Sequence, residues 1–250
     1  MTNGHINPAN VPDIALKDGH SIPQVGLGML RIDDEGVVPV VESALEAGYR
    51  HIDGAAGYNN EAGVGRALAA SGYNKGTKRE TLWVTTKLRD SQQGYDSALK
   101  AFDNSLKLLQ LDYVDMYMIH WPTPFDWRST DTWKAFVKLR DEGMARTLGV
   151  CNFMPADLKR LHEETGAWPA VERLCGVFFP NPGTLLRLNL DDDRGHVVAR
   201  LFLLGEIEHR AVAFDVYQAV YGDDQIRRRM MRRGDWMTKT PSSSGMGWRL

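Results

Sequence analysis

The stretch YRHIDGAAGYNNEAGVGRAL, residues 49–68, joins a short apolar run and two titratable side chains to a helical pattern. Two later stretches are organised in the same way: TLWVTTKL at residues 81–88 and LDYVDMYMIHWP at residues 111–122. Each apolar run is followed by an amphipathic segment, so short strands and helices alternate along the chain. This alternation predicts a parallel sheet whose strands all end at one edge.

Four polar residues lie at or just after the ends of these runs: Asp53, Tyr58, Lys87 and His120. The carboxyl ends of strands in a βα barrel converge on one face, so these side chains are expected to meet there. Taken singly, each has an ordinary explanation, as a turn residue, a packed aromatic, a solvated lysine or a core histidine. Taken together, with their flanking sequences, they predict a catalytic site without a metal.

Further elements follow from apolar periodicity and from turn residues on both sides of this centre. IALKDGHSIPQVGLG, residues 14–28, predicts a hairpin around Lys17-Asp18-Gly19 that could close one end of a barrel. The other predicted elements are helices over 37–45 (stopped by Gly48), over 59–72 and over 95–109, a helix capped by Asp131 and ending at Gly143, a strand over 145–153, a helix from Pro155 to Gly166, and a strand beginning at 169–171.

The bulk properties of the chain narrow its function class. It has 250 residues, a formal net charge of -2 and 43% hydrophobic residues, which is ordinary for a globular protein. This balance gives no electrostatic reason to expect a nucleic acid or a membrane as partner. Cys151 and Cys175 form neither a disulfide framework nor a metal motif. We therefore expect a cytoplasmic monomer.

From Val11 to about Val171 the chain resembles the aldo-keto reductases, in particular the bacterial branch that includes 2,5-diketo-D-gluconate reductases. The segments that carry the resemblance are LKDGHSIPQVGLG, EAGYRHIDGAAGYNNEAGVGRAL, VTTKL, LDYVDMYMIHWP, GMARTLGVCNF and WPAV. The resemblance implies a (β/α)8 TIM barrel with an N-terminal β-hairpin. It also implies NADPH as cofactor, bound without a Rossmann motif, and a small aldehyde, ketone or keto-sugar as substrate.

The resemblance also implies roles for individual residues. Tyr58 would be the general acid that protonates the carbonyl oxygen, assisted by the ammonium of Lys87, which Asp53 would fix in place. His120 would hydrogen-bond the substrate carbonyl and orient it. The residues implied in cofactor binding are Cys151, Asn152, Gly28 and Met29, of which Cys151 and Asn152 would hold the nicotinamide carboxamide.

After residue 171 the sequence changes character. The family continues after PAV with an Asn-Gln pair, whereas this chain has Glu172 and Arg173. Residues 1–172 contain nine lysines and nine arginines, but residues 173–250 contain one lysine and eleven arginines. These observations predict a barrel portion over 1–171 and a divergent region over 172–250 that is frame-shifted or partly disordered. The barrel would then be incomplete or remodelled in its C-terminal third.

Two alternatives to carbonyl reduction stay open at this point. One is a non-catalytic, truncated relative that binds a nucleotide or a partner without turnover. The other is a different barrel enzyme, such as an isomerase or an aldolase, that uses Lys87 or His120 for proton transfer. A lysine Schiff base would be trapped by borohydride, which distinguishes the second alternative from a reductase.

Overall fold

The computed structural model of the chain describes residues 7–173, in which a six-stranded, all-parallel sheet is the centre. Each strand of this sheet pairs with the next one along the chain, from β3 to β8, and a separate antiparallel hairpin precedes it. The strands are β1 (Asp13–Ala15), β2 (Ser21–Pro23), β3 (Leu27–Gly28), β4 (His51–Asp53), β5 (Trp83–Leu88), β6 (Val114–Ile119), β7 (Ala145–Cys151) and β8 (Val171–Arg173). The helices are α1 (Val37–Glu46), α2 (Glu61–Ala70), α3 (Gly76–Glu80), α4 (Tyr95–Leu109), α5 (Ser129–Asp141) and α6 (Pro155–Thr165).

This architecture is the parallel, curled sheet of an α/β half-barrel, which confirms the predicted fold class. Its six parallel strands correspond to part of an eight-stranded barrel. The predicted divergent region over 172–250 lies outside the described residues, apart from Glu172 and Arg173. Within residues 7–173, no helix is long and apolar enough to cross a membrane.

Side chains along the strands alternate between the barrel interior and the surrounding helices, as the period of a strand requires. Ile52, Val84 and Tyr117 face outward and pack with the helices in one large apolar core. Trp83 and Met118 face inward and belong to a second, smaller cluster. The same alternation places Asp53 and Lys87 on the inner side of their strands.

The N-terminal hairpin closes the amino end of the barrel interior. Ile22 of β2 is fully buried against Trp83, Met116 and Met118. The backbone turn uses Gly19 at a φ of +90°, a conformation that glycine adopts without strain. The prediction that this hairpin plugs one end of the barrel is therefore confirmed. The predicted site residues lie at the opposite end.

The helical boundaries follow the predicted turn residues with two exceptions, and the first is α3 (Gly76–Glu80), a helix that was not predicted. α4 and α2 pack so closely that a Cβ at Gly65 would overlap the backbone of Leu108. The predicted cap at Asp131 is wrong, because α5 begins at Ser129 and Asp131 lies in its first turn. An acidic residue also suits the first turn, where it interacts with the helix dipole. Asp131 thus does mark the start of α5, as its third residue and not as its cap.

Candidate active site

Three neighbouring strands bring the four predicted polar residues to the carboxyl end of the sheet. Asp53 is the last residue of β4, and Lys87 is the penultimate residue of β5. His120 directly follows β6, and Tyr58 ends a single 3-10 turn, Ala56–Tyr58, that comes shortly after β4. Because the strands are parallel and adjacent, side chains that lie far apart in the sequence meet at one rim.

A buried ion pair forms the base of this site. The Lys87 ammonium donates to Asp53 Oδ1 at 2.5 Å and to the Gly54 carbonyl oxygen at 2.7 Å. The two side chains are 1% and 6% exposed, so solvent screens their charges very little. Burial by itself would lower the pKa of Lys87, but the carboxylate of Asp53 and the nearby Tyr58 raise it above its usual value. Lys87 is therefore a cation at neutral pH.

Tyr58 and His120 lie near this ion pair, and both are less buried than Asp53 and Lys87. Their rings meet edge to face, with 5.7 Å between centroids and an interplanar angle of 76°. The Lys87 Nζ lies 5.4 Å from the centroid of the Tyr58 ring. A phenol, an imidazole and an ammonium thus lie close together, and a polar group of a ligand at this rim could contact the phenol and the imidazole.

The protonation state of His120 limits what it can do. Burial lowers its pKa to about 4, and the positive charge of Lys87 adds to this effect. His120 is therefore neutral at pH 7, with one ring nitrogen that can donate a hydrogen bond. It is suited to orienting a carbonyl oxygen and is a poor source of protons at that pH.

Arg173 also enters the site, and no role for it was predicted. It ends β8, where it pairs in register with Cys151 of β7, and its guanidinium contacts Asp53 Oδ2. Burial by itself would raise the pKa of Asp53, but the charges of Arg173 and Lys87 hold that pKa well below its usual range. The alternation of β8 was the missed signal, because Val171 faces inward and residue 173 must then do so too.

Arg89 supports the turn that carries Tyr58, and it was likewise missed. Its guanidinium donates to the Ala56 carbonyl at 2.9 Å and to the Asn59 side-chain oxygen at 2.5 Å. Asn59 itself has a positive φ of 58°, so the chain leaves the turn in a left-handed conformation. A basic residue directly after the predicted strand TLWVTTKL could have suggested a contact at the same rim.

The four residues predicted to contact a cofactor differ in what they offer. Asn152 lies at the end of β7, where its side-chain amide donates to the His120 carbonyl at 3.0 Å and thus reaches the rim. The thiol of Cys151 is fully buried and donates to Met118 Sδ at 3.8 Å. The Met29 side chain is also fully buried, whereas its backbone bonds to Asp53 at the rim. Gly28 pairs in register with Asp53.

Asn152 is therefore the member of this set whose side chain has both the position and the chemistry to recognise an amide. Contacts from Cys151 and Met29 would have to come from their backbone groups. Within residues 7–173, no group of three histidine, cysteine or acidic side chains could hold a metal ion.

Comparisons with known proteins agree on one family. The family model "Aldo/keto reductase family" matches residues 23–173. An aldo-keto reductase of Mycolicibacterium smegmatis is 52% identical over 163 residues, which are 65% of this chain and 58% of the relative. The methylglyoxal reductase DkgA of Escherichia coli is 43% identical over 166 residues, covering 66% of this chain and 58% of the relative.

Solved structures give the same result. An aldo/keto reductase from Brucella melitensis superposes with a TM-score of 0.62 and 49% identity, over 66% of this chain and 63% of that one. The Bombyx mori aldo-keto reductase in complex with NADP superposes with a TM-score of 0.59 and 39% identity, over 66% of this chain and 58% of that one. The chain thus spans somewhat more than half the length of the relatives that it matches.

Proposed function

The chain belongs to the aldo/keto reductase family, and from that premise we propose that it reduces the carbonyl group of an aldehyde, ketone or keto-sugar to an alcohol with NADPH. The observation that carries the proposal is the buried pair of Lys87 and Asp53 directly beside Tyr58 and His120. In this arrangement Tyr58 would donate the proton, and the charge of Lys87 would stabilise the tyrosinate that remains. His120 would be the neutral hydrogen-bond donor for the substrate.

Tyr58 is the proposed proton donor to the carbonyl oxygen. When a phenol gives up its proton, a tyrosinate remains, and an adjacent ammonium stabilises that anion. Lys87 lies 5.4 Å from the Tyr58 ring centroid and cannot swing away, because Asp53 and the Gly54 carbonyl hold it. Positioned proton transfer of this kind typically accelerates a reaction by about 10²- to 10⁴-fold.

His120 is the proposed orienting group. Its pKa of about 4 leaves it neutral at pH 7, so it hydrogen-bonds the carbonyl oxygen without competing with Tyr58 as acid. The edge-to-face contact with Tyr58 fixes the two rings relative to each other. A carbonyl oxygen that binds both groups would be held where its proton is delivered.

The residues at the rim fit a nicotinamide cofactor through their chemistry. A carboxamide needs a hydrogen-bond donor and an acceptor, and the side chain of Asn152 has both types of atom at the end of β7. When NADPH is bound, its nicotinamide supplies the hydride for the reduction. We propose that Asn152 holds the carboxamide and that the backbones of Gly28, Met29 and Cys151 line the rest of this site.

The two alternatives find less support. A Schiff-base mechanism needs an unprotonated lysine, whereas Lys87 is held as a cation by Asp53 and its pKa is raised. The non-catalytic alternative gains no support from the relatives described above, which are named as reductases. Because one of them is a methylglyoxal reductase, we propose small dicarbonyl compounds as the first substrates to test.

Carbonyl-dependent oxidation of NADPH by the purified full chain tests the proposal. We expect consumption of NADPH with methylglyoxal or with one of a panel of aldehydes, ketones and keto-sugars, and no inactivation by borohydride in the presence of substrate. Borohydride trapping of substrate on Lys87, with no oxidation of NADPH, would instead support the Schiff-base alternative. The absence of both activities in well-folded protein would support the non-catalytic one.

A further inference from the structure

Arg173 reaches the reduction site from the far side of the sheet. It lies on β8, four strands away from β4, and its guanidinium nevertheless contacts the Asp53 carboxylate across the barrel interior. Its backbone is fixed as well, because the backbone N–H of Asn152 donates to the Arg173 carbonyl oxygen at 2.8 Å. The contact therefore links the edge strand β8 to β4 on the far side of the sheet and is unlike a surface pair between neighbouring side chains.

The two basic residues divide the carboxylate of Asp53 between them. Lys87 binds Oδ1 and Arg173 contacts Oδ2, so each oxygen has its own cation. The carboxylate side chain is 6% exposed and that of Arg173 is 19% exposed. At this degree of burial the interaction is screened far less than a pair on the surface.

The charges at the rim do not balance among the described residues. Asp53 is negative, whereas Lys87 and Arg173 are both positive. The two histidines that face them contribute no charge at pH 7, because burial lowers the pKa of His51 and of His120 to about 4. Inside the barrel, one negative charge thus faces two positive ones near the ring of Tyr58, whose centroid lies 5.4 Å from Lys87 Nζ.

We propose that Arg173 is a positioning residue of the reduction site, which holds the second oxygen of Asp53 and adds a positive charge beside the Lys87–Tyr58 pair. Its role rests on the proposed reduction. Because Asp53 is shared, it neutralises less of the charge on Lys87, and the tyrosinate formed by proton donation is stabilised further. Arg173 would then make Tyr58 ionise at lower pH than Lys87 and Asp53 alone would.

Three other charged groups lie near these residues. Glu61 interacts electrostatically with Lys87, but its carboxyl group accepts from the Thr86 and Ser105 hydroxyls on the outer side of β5. Arg89 binds the turn that carries Tyr58 through the Ala56 carbonyl. Glu172 alternates with Arg173 along β8 and so faces away from the interior. Lys87 and Asp53 remain in every variant considered below, so a change in the ionisation of Tyr58 can be assigned to Arg173.

A spectroscopic titration of Tyr58 tests this role without requiring turnover. The absorbance of tyrosinate is followed against pH in the full chain, and the curve of the Tyr58→Phe variant is subtracted to isolate this one phenol. The same difference is recorded in the Arg173→Gln and Arg173→Lys backgrounds. Arg146→Gln is the matched control, since Arg146 binds a different buried carboxylate, that of Asp115, at the other end of the sheet.

We expect the Tyr58 midpoint to rise by about one pH unit in Arg173→Gln, a tenfold change in the ionisation constant. Arg173→Lys keeps the charge and should restore the midpoint, and Arg146→Gln should leave it in place. If Arg173→Gln does not fold, Arg173→Met, which removes the charge but keeps an apolar stem, takes its place. Coincident midpoints for the wild-type chain and the neutral variant would overturn the proposal.

The pH profile of carbonyl reduction gives a second measurement. Reduction needs the protonated phenol. The alkaline limb of the kcat/KM profile should therefore shift to higher pH in Arg173→Gln, by the same amount as the titration midpoint. A shifted titration with no turnover in any variant would support the effect of Arg173 on the ionisation of Tyr58 and would contradict the proposed reduction. A normal profile with an unshifted limb would contradict the role of Arg173 alone.

Discussion

Two buried carboxylates at opposite ends of the sheet are each bound by two basic side chains, and they differ in what surrounds them. At the amino end, Asp115 of β6 binds Arg79 at 2.8 Å and Arg146 at 3.2 Å. At the carboxyl end, Asp53 of β4 binds Lys87 at 2.5 Å and also contacts Arg173. The chemical groups are nearly the same, so the comparison isolates the effect of position.

The amino-end cluster is bound to the backbone through Asp115 and Arg79. Asp115 also accepts from the Val84 amide at 2.8 Å, and Arg79 donates to the carbonyl oxygens of Leu82 and Tyr113. The guanidinium groups of Arg79 and Arg146 lie 4.0 and 4.3 Å from the Tyr113 ring centroid. These contacts tie β5 and β6 to the segments that precede them, which is a structural task.

The carboxyl-end cluster faces the barrel interior, beside two side chains that can react. The charges around Asp53 outweigh its burial and lower its pKa, whereas burial raises the pKa of Asp115 despite the charge of Arg79. Asp53 is thus a permanent anion that holds a cation next to a phenol. Under the proposed function, similar ion pairs would therefore serve stability at the amino end of the sheet and chemistry at the carboxyl end.

The largest effect is expected from removing one hydroxyl group at each end. Tyr58→Phe should lower kcat by about 10²- to 10⁴-fold, because it deletes the proton donor. Tyr113→Phe is the matched control, since the buried Tyr113 hydroxyl has no hydrogen-bond partner among the described residues. Steady-state rates with NADPH and methylglyoxal measure both variants. Equal losses of kcat in the two variants would contradict the proposal that the chemistry takes place at the carboxyl end.

Neutralising each carboxylate should separate stability from rate. Asp53→Asn and Asp115→Asn each leave a buried cation, Lys87 or Arg79, without its counter-charge, which typically costs about 3 to 5 kcal/mol. Urea unfolding should therefore show both variants destabilised. The rate per folded molecule should fall only in Asp53→Asn, and a comparable fall in Asp115→Asn would show that the amino-end cluster also takes part in catalysis.

The pH dependence of the free energy of unfolding should report the buried His51 at the carboxyl-end cluster. His51 lies inside the barrel below Asp53, bonded to Thr85 at 3.1 Å, and burial lowers its pKa from 6.5 to about 4. Between these values the unfolded chain binds a proton that the folded chain does not, so stability falls as pH falls. The His51→Gln variant should lose about 3 kcal/mol less than the wild type between pH 7 and pH 4. Parallel curves from urea unfolding would show that His51 is not the group responsible.

The smallest effect is expected at the turn that carries Tyr58. Arg89→Met removes the hydrogen bonds to Ala56 and Asn59 while keeping an apolar stem, so Tyr58 loses part of its positioning. We expect kcat to fall about tenfold, with partial recovery in Arg89→Lys. The unfolding midpoint of Arg89→Met should change no more than it does for a surface substitution, so the loss would be in kcat and not in stability. A wild-type rate in Arg89→Met would show that β5 and the 3-10 turn fix Tyr58 without it.

Much of the fold could be predicted because its signals are local. Apolar periodicity and the turn glycines Gly48 and Gly166 marked the helices, and strand ends brought Asp53 and Lys87 to one rim. The partners of Asp53 could only in part be predicted. Lys87 came with a recognisable flanking sequence, whereas Arg173 lies 120 positions from Asp53, and only the alternation along β8 indicates that its side chain faces the interior.

The sequence was also ambiguous where one residue type has several uses. Cys151 was predicted to contact a cofactor, yet its thiol is buried against Met118. The roles of the site residues stay predictions, as does the boundary between residues 171 and 172. Sequencing of the gene tests the proposed frame change, because another frame downstream of codon 171 should then encode a sequence typical of the family.

Equilibrium binding of NADPH to the purified full chain is the decisive test of the proposed reduction, because the proposed chemistry at the carboxyl end depends on the cofactor. The intrinsic tryptophan fluorescence is titrated with NADPH, with NADH as the comparison and Tyr58→Phe as the control. We predict saturable quenching that is stronger with NADPH and is preserved in Tyr58→Phe. The absence of quenching in folded, monodisperse protein would contradict the claim that this rim is a reduction site.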